Sequence, residues 1–276
     1  MSKAPLVVLL AASLLFVACN NALAYTVTLN GGCQTGVINQ TRNYIILNIS
    51  NTGDGPAQSL LLTPMIYGAQ SLNGSASITQ LLPSATNSTK FYLQNFSTPG
   101  SYFEYFRVGY QQSGDMFTTI FPCYAYLFQR TQSLAVIRNI TIDNTKDGYV
   151  LNASLENTAQ YPINAILMVA APPAFAVNYS SRSIYLSPDS ALNYDISFSP
   201  PTGFNASYPL SLALSYTYNN LHYAYYLTKI VRISSKSIGN GNSLLLWVIA
   251  AIIGALIVLI CYSIIRQRIR RTTGGT

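Results

Sequence analysis

Residues 51–62 read NTGDGPAQSLLL, and 106 positions later residues 157–168 read NTAQYPINAILM. Asn-Thr, a Pro five residues after the Asn, and a following aliphatic pair recur in both copies. The same offset carries Gly100-Ser101-Tyr102 onto Ala206-Ser207-Tyr208 and Tyr110 onto Tyr216. An offset held across some fifty residues marks a duplicated unit, not a chance match.

Alternation within the two copies shows which face each strand buries. From Tyr102 the alternate residues are Glu104, Phe106, Val108 and Tyr110; from Tyr208 they are Leu210, Leu212, Leu214 and Tyr216. Successive side chains of a strand point to opposite faces, so these sets are expected to point inward. Phe103, Tyr105, Arg107 and Gly109, and likewise Pro209, Ser211, Ala213 and Ser215, are expected to point outward. Glu104 breaks the inward pattern and is expected near the strand start, where a carboxylate reaches water.

Further strands are expected at 44–49, 60–65, 91–93 and 118–129, then at 149–155, 163–170, 191–198 and 221–233, with Gly, Pro, Asn and Asp clustered between them. No stretch of helical period interrupts them between the two apolar ends of the chain. That pattern predicts an all-β fold of two tandem β-sandwiches, domain 1 over residues 25–131 and domain 2 over 132–233.

The segment Asn51-Thr52-Gly53-x-Gly55-Pro56-Ala57, followed by Pro99-Gly100-Ser101-Tyr102 opening a strand that ends in Gly109-Tyr110, resembles the tandem immunoglobulin-like domains of archaeal S-layer-associated surface proteins. It is also similar to the CARDB and NEW3 β-sandwich modules. The resemblance covers residues 26–233 and implies that the Asn51 turn joins the first two core strands while Pro99-Gly100-x-Tyr102 opens a late one. The second copy keeps Asn157, Thr158, Pro162 and Tyr208 but lacks the Gly pair and the Pro-Gly. These motifs concern the fold and transfer no catalytic residue.

The ends of the chain address it to a membrane. Leu244 to Ile265 is apolar without a charged residue, and at 1.5 Å per residue it covers about 33 Å, enough to cross a bilayer core of about 30 Å. Arg266, Arg268, Arg270 and Arg271 follow in a basic tail over 266–276 and predict a cytoplasmic C-terminus. At the other end a basic Met1–Lys3, an apolar 6–18 and Ala22-Leu23-Ala24 predict a signal peptide over 1–24, with Tyr25 the first mature residue. A lipid site at Cys19 or an uncleaved anchor are the rival readings. The expected protein is type I and single-pass in the plasma membrane, with its ectodomain outside. Residues 234–243, rich in Ser, Gly and Asn, form a flexible linker to the transmembrane helix. Ala250-x-x-x-Gly254 and Ala251-x-x-x-Ala255 allow close helix approach, a weak homodimer signal.

Composition removes one class of partner. The net charge of +7 looks suited to nucleic acid, yet Lys3 belongs to the leader and four Arg to the tail. Ten Lys and Arg against eight Asp and Glu remain over residues 25–243, so the basicity reports topology and no nucleic-acid partner is expected. Cys33 and Cys123 are then the two ectodomain cysteines in an oxidising compartment and are expected to form a disulfide. Nine Asn-x-Ser/Thr sequons, at Asn39, Asn48, Asn73, Asn87, Asn95, Asn139, Asn152, Asn178 and Asn205, mark glycosylation candidates.

No catalytic constellation is legible, and no cofactor or metal site is expected. The one histidine, His222, reads as a surface or interface side chain on the last hairpin; Asp143 and Asp147 are too few oxygens for a Ca²⁺ site. Tyr216, Tyr218, Tyr223, Tyr225 and Tyr226 crowd that hairpin, expected half on each face, as a contact surface or as cross-strand packing. The expected role is therefore structural or adhesive, in an envelope or S-layer setting. The alternatives are a glycan- or ligand-binding receptor module and an accessory ectodomain of a membrane enzyme or secretion complex. Expected partners are the lipid bilayer and other envelope proteins or glycans.

Overall fold

A computed structural model describes residues 25–39, 42–145, 148–177, 180–199 and 206–233. The leader, linker, apolar run and basic tail lie outside the described residues, as do Asn178, Asn205 and Asp147. Among the described residues no helix is long and apolar enough to cross a membrane.

The described chain is built from sixteen strands. The first eight are β1 (Leu29–Val37), β2 (Arg42–Asn51), β3 (Ala57–Ile66), β4 (Gln70–Ser71), β5 (Ala76–Leu81), β6 (Thr86–Gln94), β7 (Gly100–Gln112) and β8 (Asp115–Leu127). The second eight are β9 (Ala135–Thr145), β10 (Gly148–Asn157), β11 (Ile163–Ala170), β12 (Ala176–Val177), β13 (Ser181–Leu186), β14 (Ser190–Ser199), β15 (Ala206–Tyr218) and β16 (Leu221–Ile233). Sheet β1-β2-β6-β4 backs onto β5-β3-β7-β8; in the second half β9-β10-β14-β12 backs onto β13-β11-β15-β16. The topology is the same twice, and the pairings within each half are antiparallel. Two aligned four-stranded sheets with this connectivity make an immunoglobulin-like β-sandwich.

Local sequence explains the elements. In β2, Ile45, Leu47 and Ile49 are buried while Tyr44, Ile46 and Asn48 are half-exposed; β10 repeats this with Leu151, Ala153 and Leu155. Two-residue turns close the longest hairpins, Ser113-Gly114 between β7 and β8 and Asn219-Asn220 between β15 and β16. All four residues have positive φ (52°, 93°, 49° and 59°), the backbone that a right-twisted hairpin needs and that Gly and Asn supply.

The repeated Asn-Thr turn is held from inside. Asn51 is fully buried; its amide donates to Gly55 O (2.8 Å) and Leu81 O (3.1 Å), and its Oδ1 accepts the Gly53 N–H (3.0 Å). Asn157, also fully buried, donates to Tyr161 O (2.9 Å), Leu186 O (3.2 Å) and Ser187 O (3.0 Å), and accepts the Ala159 N–H (2.9 Å). Thr52 and Thr158 then donate their backbone N–H groups to Thr28 O and Leu134 O. The motif recurs because each sandwich needs the same plug for buried carbonyls that face no strand.

Each sandwich has its own apolar core. Tyr102, Phe106 and Val108 lie in the first and Leu210, Leu212 and Leu214 in the second, on the inward faces expected. Tyr102 opens β7 and donates its hydroxyl to Thr98 O at 2.5 Å, the tyrosine corner of immunoglobulin-like sandwiches.

Two expectations are corrected. Glu104 does not reach water: it is 1% exposed, on the inward face between Tyr102 and Phe106, because Ile66 and Cys123 flank it on β3 and β8. The outward set does not face solvent either. Phe103, Tyr105 and Ile120 of the first sandwich pack on Met168, Ala170, Ala213 and Ala224 of the second in a third buried cluster. The outer faces of the two sandwiches bury each other, and both lie in one compact unit.

Candidate functional site: the junction and cleft between the sandwiches

The joint is built around the start of β7 and the start of β16. Gly100 and His222 form a parallel bridge that continues one sandwich's sheet into the other's, giving eight strands. Gly100 has φ +134°, and a Cβ there would lie 2.0 Å from His222 O, so neither the backbone shape nor the close approach tolerates a side chain. Across the bridge the His222 N–H donates to Pro99 O at 2.7 Å.

Thr131, on the segment connecting the sandwiches, ties the same point. Its hydroxyl donates to His222 O (2.6 Å) and accepts the Ser101 N–H (3.0 Å), while its own N–H donates to Ser101 Oγ (2.9 Å). The His222 ring is half-buried. Nδ1 lies 2.6 Å from Ser101 O, which can only accept, so Nδ1 carries the proton and Nε2 accepts from Ser215 Oγ at 3.0 Å. The ring stacks on Tyr102, with centroids 3.9 Å apart and planes 4° from parallel. Burial holds the imidazole below its ordinary pKa, opposed by the bond to the Ser101 carbonyl. His222 is thus a neutral structural link between sandwiches.

Beside the joint opens a cleft of about 890 Å³. Its walls come from β1, β8 and the start of β7 in the first sandwich, the connecting segment, and β16 and the start of β9 in the second. At one end Cys33 on β1 and Cys123 on β8 form a disulfide, with Cα atoms 5.7 Å apart. Thr35 Oγ1 donates to Tyr124 O (2.5 Å) and Asn43 Nδ2 to Tyr126 O (2.8 Å), so β1 and β2 side chains occupy outer-edge carbonyls of β8. Tyr124 is 40% exposed, yet its phenol accepts the Tyr226 N–H at 3.1 Å and its ring lies 4.5 Å from the Tyr226 ring. Burial raises the Tyr124 phenol to about 12. The Arg130 guanidinium lies 5.0 Å over the Tyr126 ring.

The tyrosines of the last hairpin are not divided half and half. Tyr216, Tyr218, Tyr223 and Tyr225 pack against the core of the second sandwich. Tyr216 and Tyr223 are register partners stacked 5.0 Å apart, and Tyr218 stacks on Tyr161 at 4.0 Å. Tyr226 alone of the five lies on the opposite face, against Phe103 at the junction. Of this set the cleft brings together Tyr225 and Tyr226. It adds Tyr124, Tyr126 and Arg130, which sequence reasoning did not select. The alternation of Tyr124 and Tyr126 with the apolar Cys123, Ala125 and Leu127, which puts two tyrosines on the outward face of one strand, was the available signal.

Seven sequon asparagines are described: Asn39, Asn73, Asn95 and Asn139 exposed, Asn48, Asn87 and Asn152 half-buried. All seven sit on the two four-stranded sheets or on loops leaving them, and none on a strand of the eight-stranded sheet. Asp143 accepts from Asn152 Nδ2 at 2.6 Å. Among the described residues no group of three or more His, Cys, Asp or Glu comes together to hold a metal ion.

No family model matches the chain, and no curated protein matches it. Among solved structures it is similar to the YadV chaperone at 10% identity, over 69% of this chain and 92% of that one, with a TM-score of 0.26. It is similar to a CsuC–CsuE chaperone–tip adhesion subunit pre-assembly complex from the archaic chaperone-usher Csu pili of Acinetobacter baumannii (13% identity, 70% and 98% coverage, TM-score 0.25). A red sea bream transglutaminase is similar at 11% identity over 79% of this chain but 33% of its own length, with a TM-score of 0.27.

Proposed function

We propose that this chain is a membrane-anchored surface protein, held by the apolar segment 244–265, whose paired sandwiches act by display and contact in the cell envelope, in an S-layer-associated or adhesive role. The reading is supported most by the fusion of the two sandwiches. A continuous sheet, a shared apolar cluster and the Thr131–His222 ties make a stiff post, which suits a load-bearing or presenting element. The chain leaves the post from the end of β16, opposite the end of that strand that meets the first sandwich. The seven described sequons lie off the strands of the eight-stranded sheet, so sugars carried there would leave the mutual interface clear, in keeping with an external compartment.

Protease added to intact cells tests the topology. Loss of residues 25–233 with a short membrane-embedded remnant is expected; full protection would refute it. A second reading, a ligand-binding ectodomain, is favoured by the tyrosine-lined cleft.

A further inference from the structure

We propose that the cleft between the sandwiches binds an acidic oligosaccharide, with Arg130 taking a sugar carboxylate and the cleft tyrosines taking the sugar faces. This rests on reading the paired sandwiches as an ectodomain that works by contact. Three observations carry it.

The volume, about 890 Å³, falls in the range of roughly 300–1,000 Å³ of small-ligand sites, and the site exists only because two sandwiches meet. The lining chemistry is that of sugar recognition. Tyr124 and Tyr126, on the outward face of β8, offer aromatic rings that end in hydroxyls, Tyr226 flanks Tyr124 from β16, and Gln34 and Gln132 offer amides that both donate and accept. Tyr124 is held by its bond to Tyr226, so little order must be gained on binding. Among the described residues Arg130 is the only charged one on the walls, no carboxylate lines the cleft beside it, and its fork suits a sugar carboxylate.

An extended peptide is the poorer occupant. Adding a strand to β8 needs free edge groups, and the Tyr124 and Tyr126 carbonyls are already taken by Thr35 and Asn43. Gly32, on the same face of β1 as Gln34, lines the cleft without being needed for packing: a Cβ there would meet nothing within 4 Å. A bare glycine in a strand leaves room for close approach of a ligand.

The test is calorimetric titration of the full chain, purified in a mild non-ionic detergent, with tetragalacturonate, maltotetraose and tetraglutamate. Saturable binding of tetragalacturonate is expected, at least tenfold tighter than either of the others. Arg130→Gln, an exposed change, should weaken it at least tenfold, and Gly32→Trp should abolish it while leaving the thermal midpoint within a few degrees. Three results would overturn the proposal: no saturable binding by the native chain, undiminished binding by Arg130→Gln, or tetraglutamate bound as tightly. If Gly32→Trp fails to fold, Arg130→Gln and the neutral sugar still decide. Failure here with the ectodomain accessible to protease removes the cleft alone, whereas protection from protease removes the surface reading whatever the titration shows.

Discussion

Replacing Glu104 by Gln should make the protein more stable at neutral pH and flatten its pH dependence. Glu104 is 1% exposed; Oε2 accepts the Tyr67 N–H at 3.0 Å and Oε1 has no protein partner. Burial raises its carboxyl well above the ordinary value, and the single bond from Tyr67 opposes that weakly. The neighbouring Tyr67 phenol, pushed up to about 12 by burial and by Tyr105, stays neutral throughout the range concerned. The folded protein therefore holds a proton that the unfolded chain releases near pH 4.3. Because the folded state binds more protons, stability falls as pH rises. The fall begins near the unfolded value and continues, at about 1.4 kcal/mol per pH unit, until the raised folded value is passed.

Gln cannot ionise, keeps an oxygen for the Tyr67 N–H, and has nearly the same shape. At pH 3, well below the unfolded value, both side chains are neutral in both states, and the two proteins should denature at closely similar urea concentrations. Between pH 5 and 7 they should separate, with Glu104→Gln the more stable by an amount that grows with pH. The assay is urea denaturation of the full chain in detergent, followed by tyrosine fluorescence at half-unit steps. Parallel pH profiles would refute the reasoning, since they would mean that the native carboxylate is ionised and held by a partner.

Three further outcomes follow from the packing. Asn51→Ala leaves two buried carbonyls and one N–H without partners, so a loss of about 3 kcal/mol or more is expected in the same denaturation, and Asn157→Ala should behave alike. Cys33→Ser together with Cys123→Ser opens a link spanning 90 residues; a loss of about 4 kcal/mol is expected from chain entropy, and peptides of the denatured protein in which Cys33 and Cys123 are alkylated only after reduction would verify the bond. Ala213→Glu puts a charge into the cluster between sandwiches while pointing away from both cores, so cleavage of the connecting segment 128–134 by added protease should accelerate at least tenfold with both sandwiches still folded.

Much of the sandwich was legible because its strands bury one face. Ile45, Leu47 and Ile49, and again Leu151, Ala153 and Leu155, show the period of two that a core on one side imposes. The strands that were not read have no such stripe. β1 is LNGGCQTGV, in which glycine removes the side chains that would carry the pattern, and β9 loses its phase at a bulge opposite Ser154–Leu155. β5 and β13 are short and lie at sheet ends, so little of either is buried. Glu104 was misplaced for a related reason: a carboxylate in an apolar series argues for water, and only the flanking strands show that none reaches it.

The junction lay in the difference between the copies, not in what they share. On the outward face the first copy carries Phe103 and Tyr105, where the second carries Pro209 and Ser211, and Ala213 follows. Read singly, neither series betrays an interface: large aromatics on a solvent face and small residues on another are both ordinary. Set side by side they are complementary, since Phe103, Tyr105 and Ile120 fill the space that Ala170, Ala213 and Ala224 leave. A duplicated unit needs Asn51 and Asn157 for its own fold, and keeps them. Where the two units press on each other, identical faces would clash or leave voids, so the copies must diverge there. The cleft depends on that divergence. The large-on-small contact sets how closely β7 meets β16, and the joined strands hold Tyr124 of one half against Tyr226 of the other, with Arg130 on the same cleft.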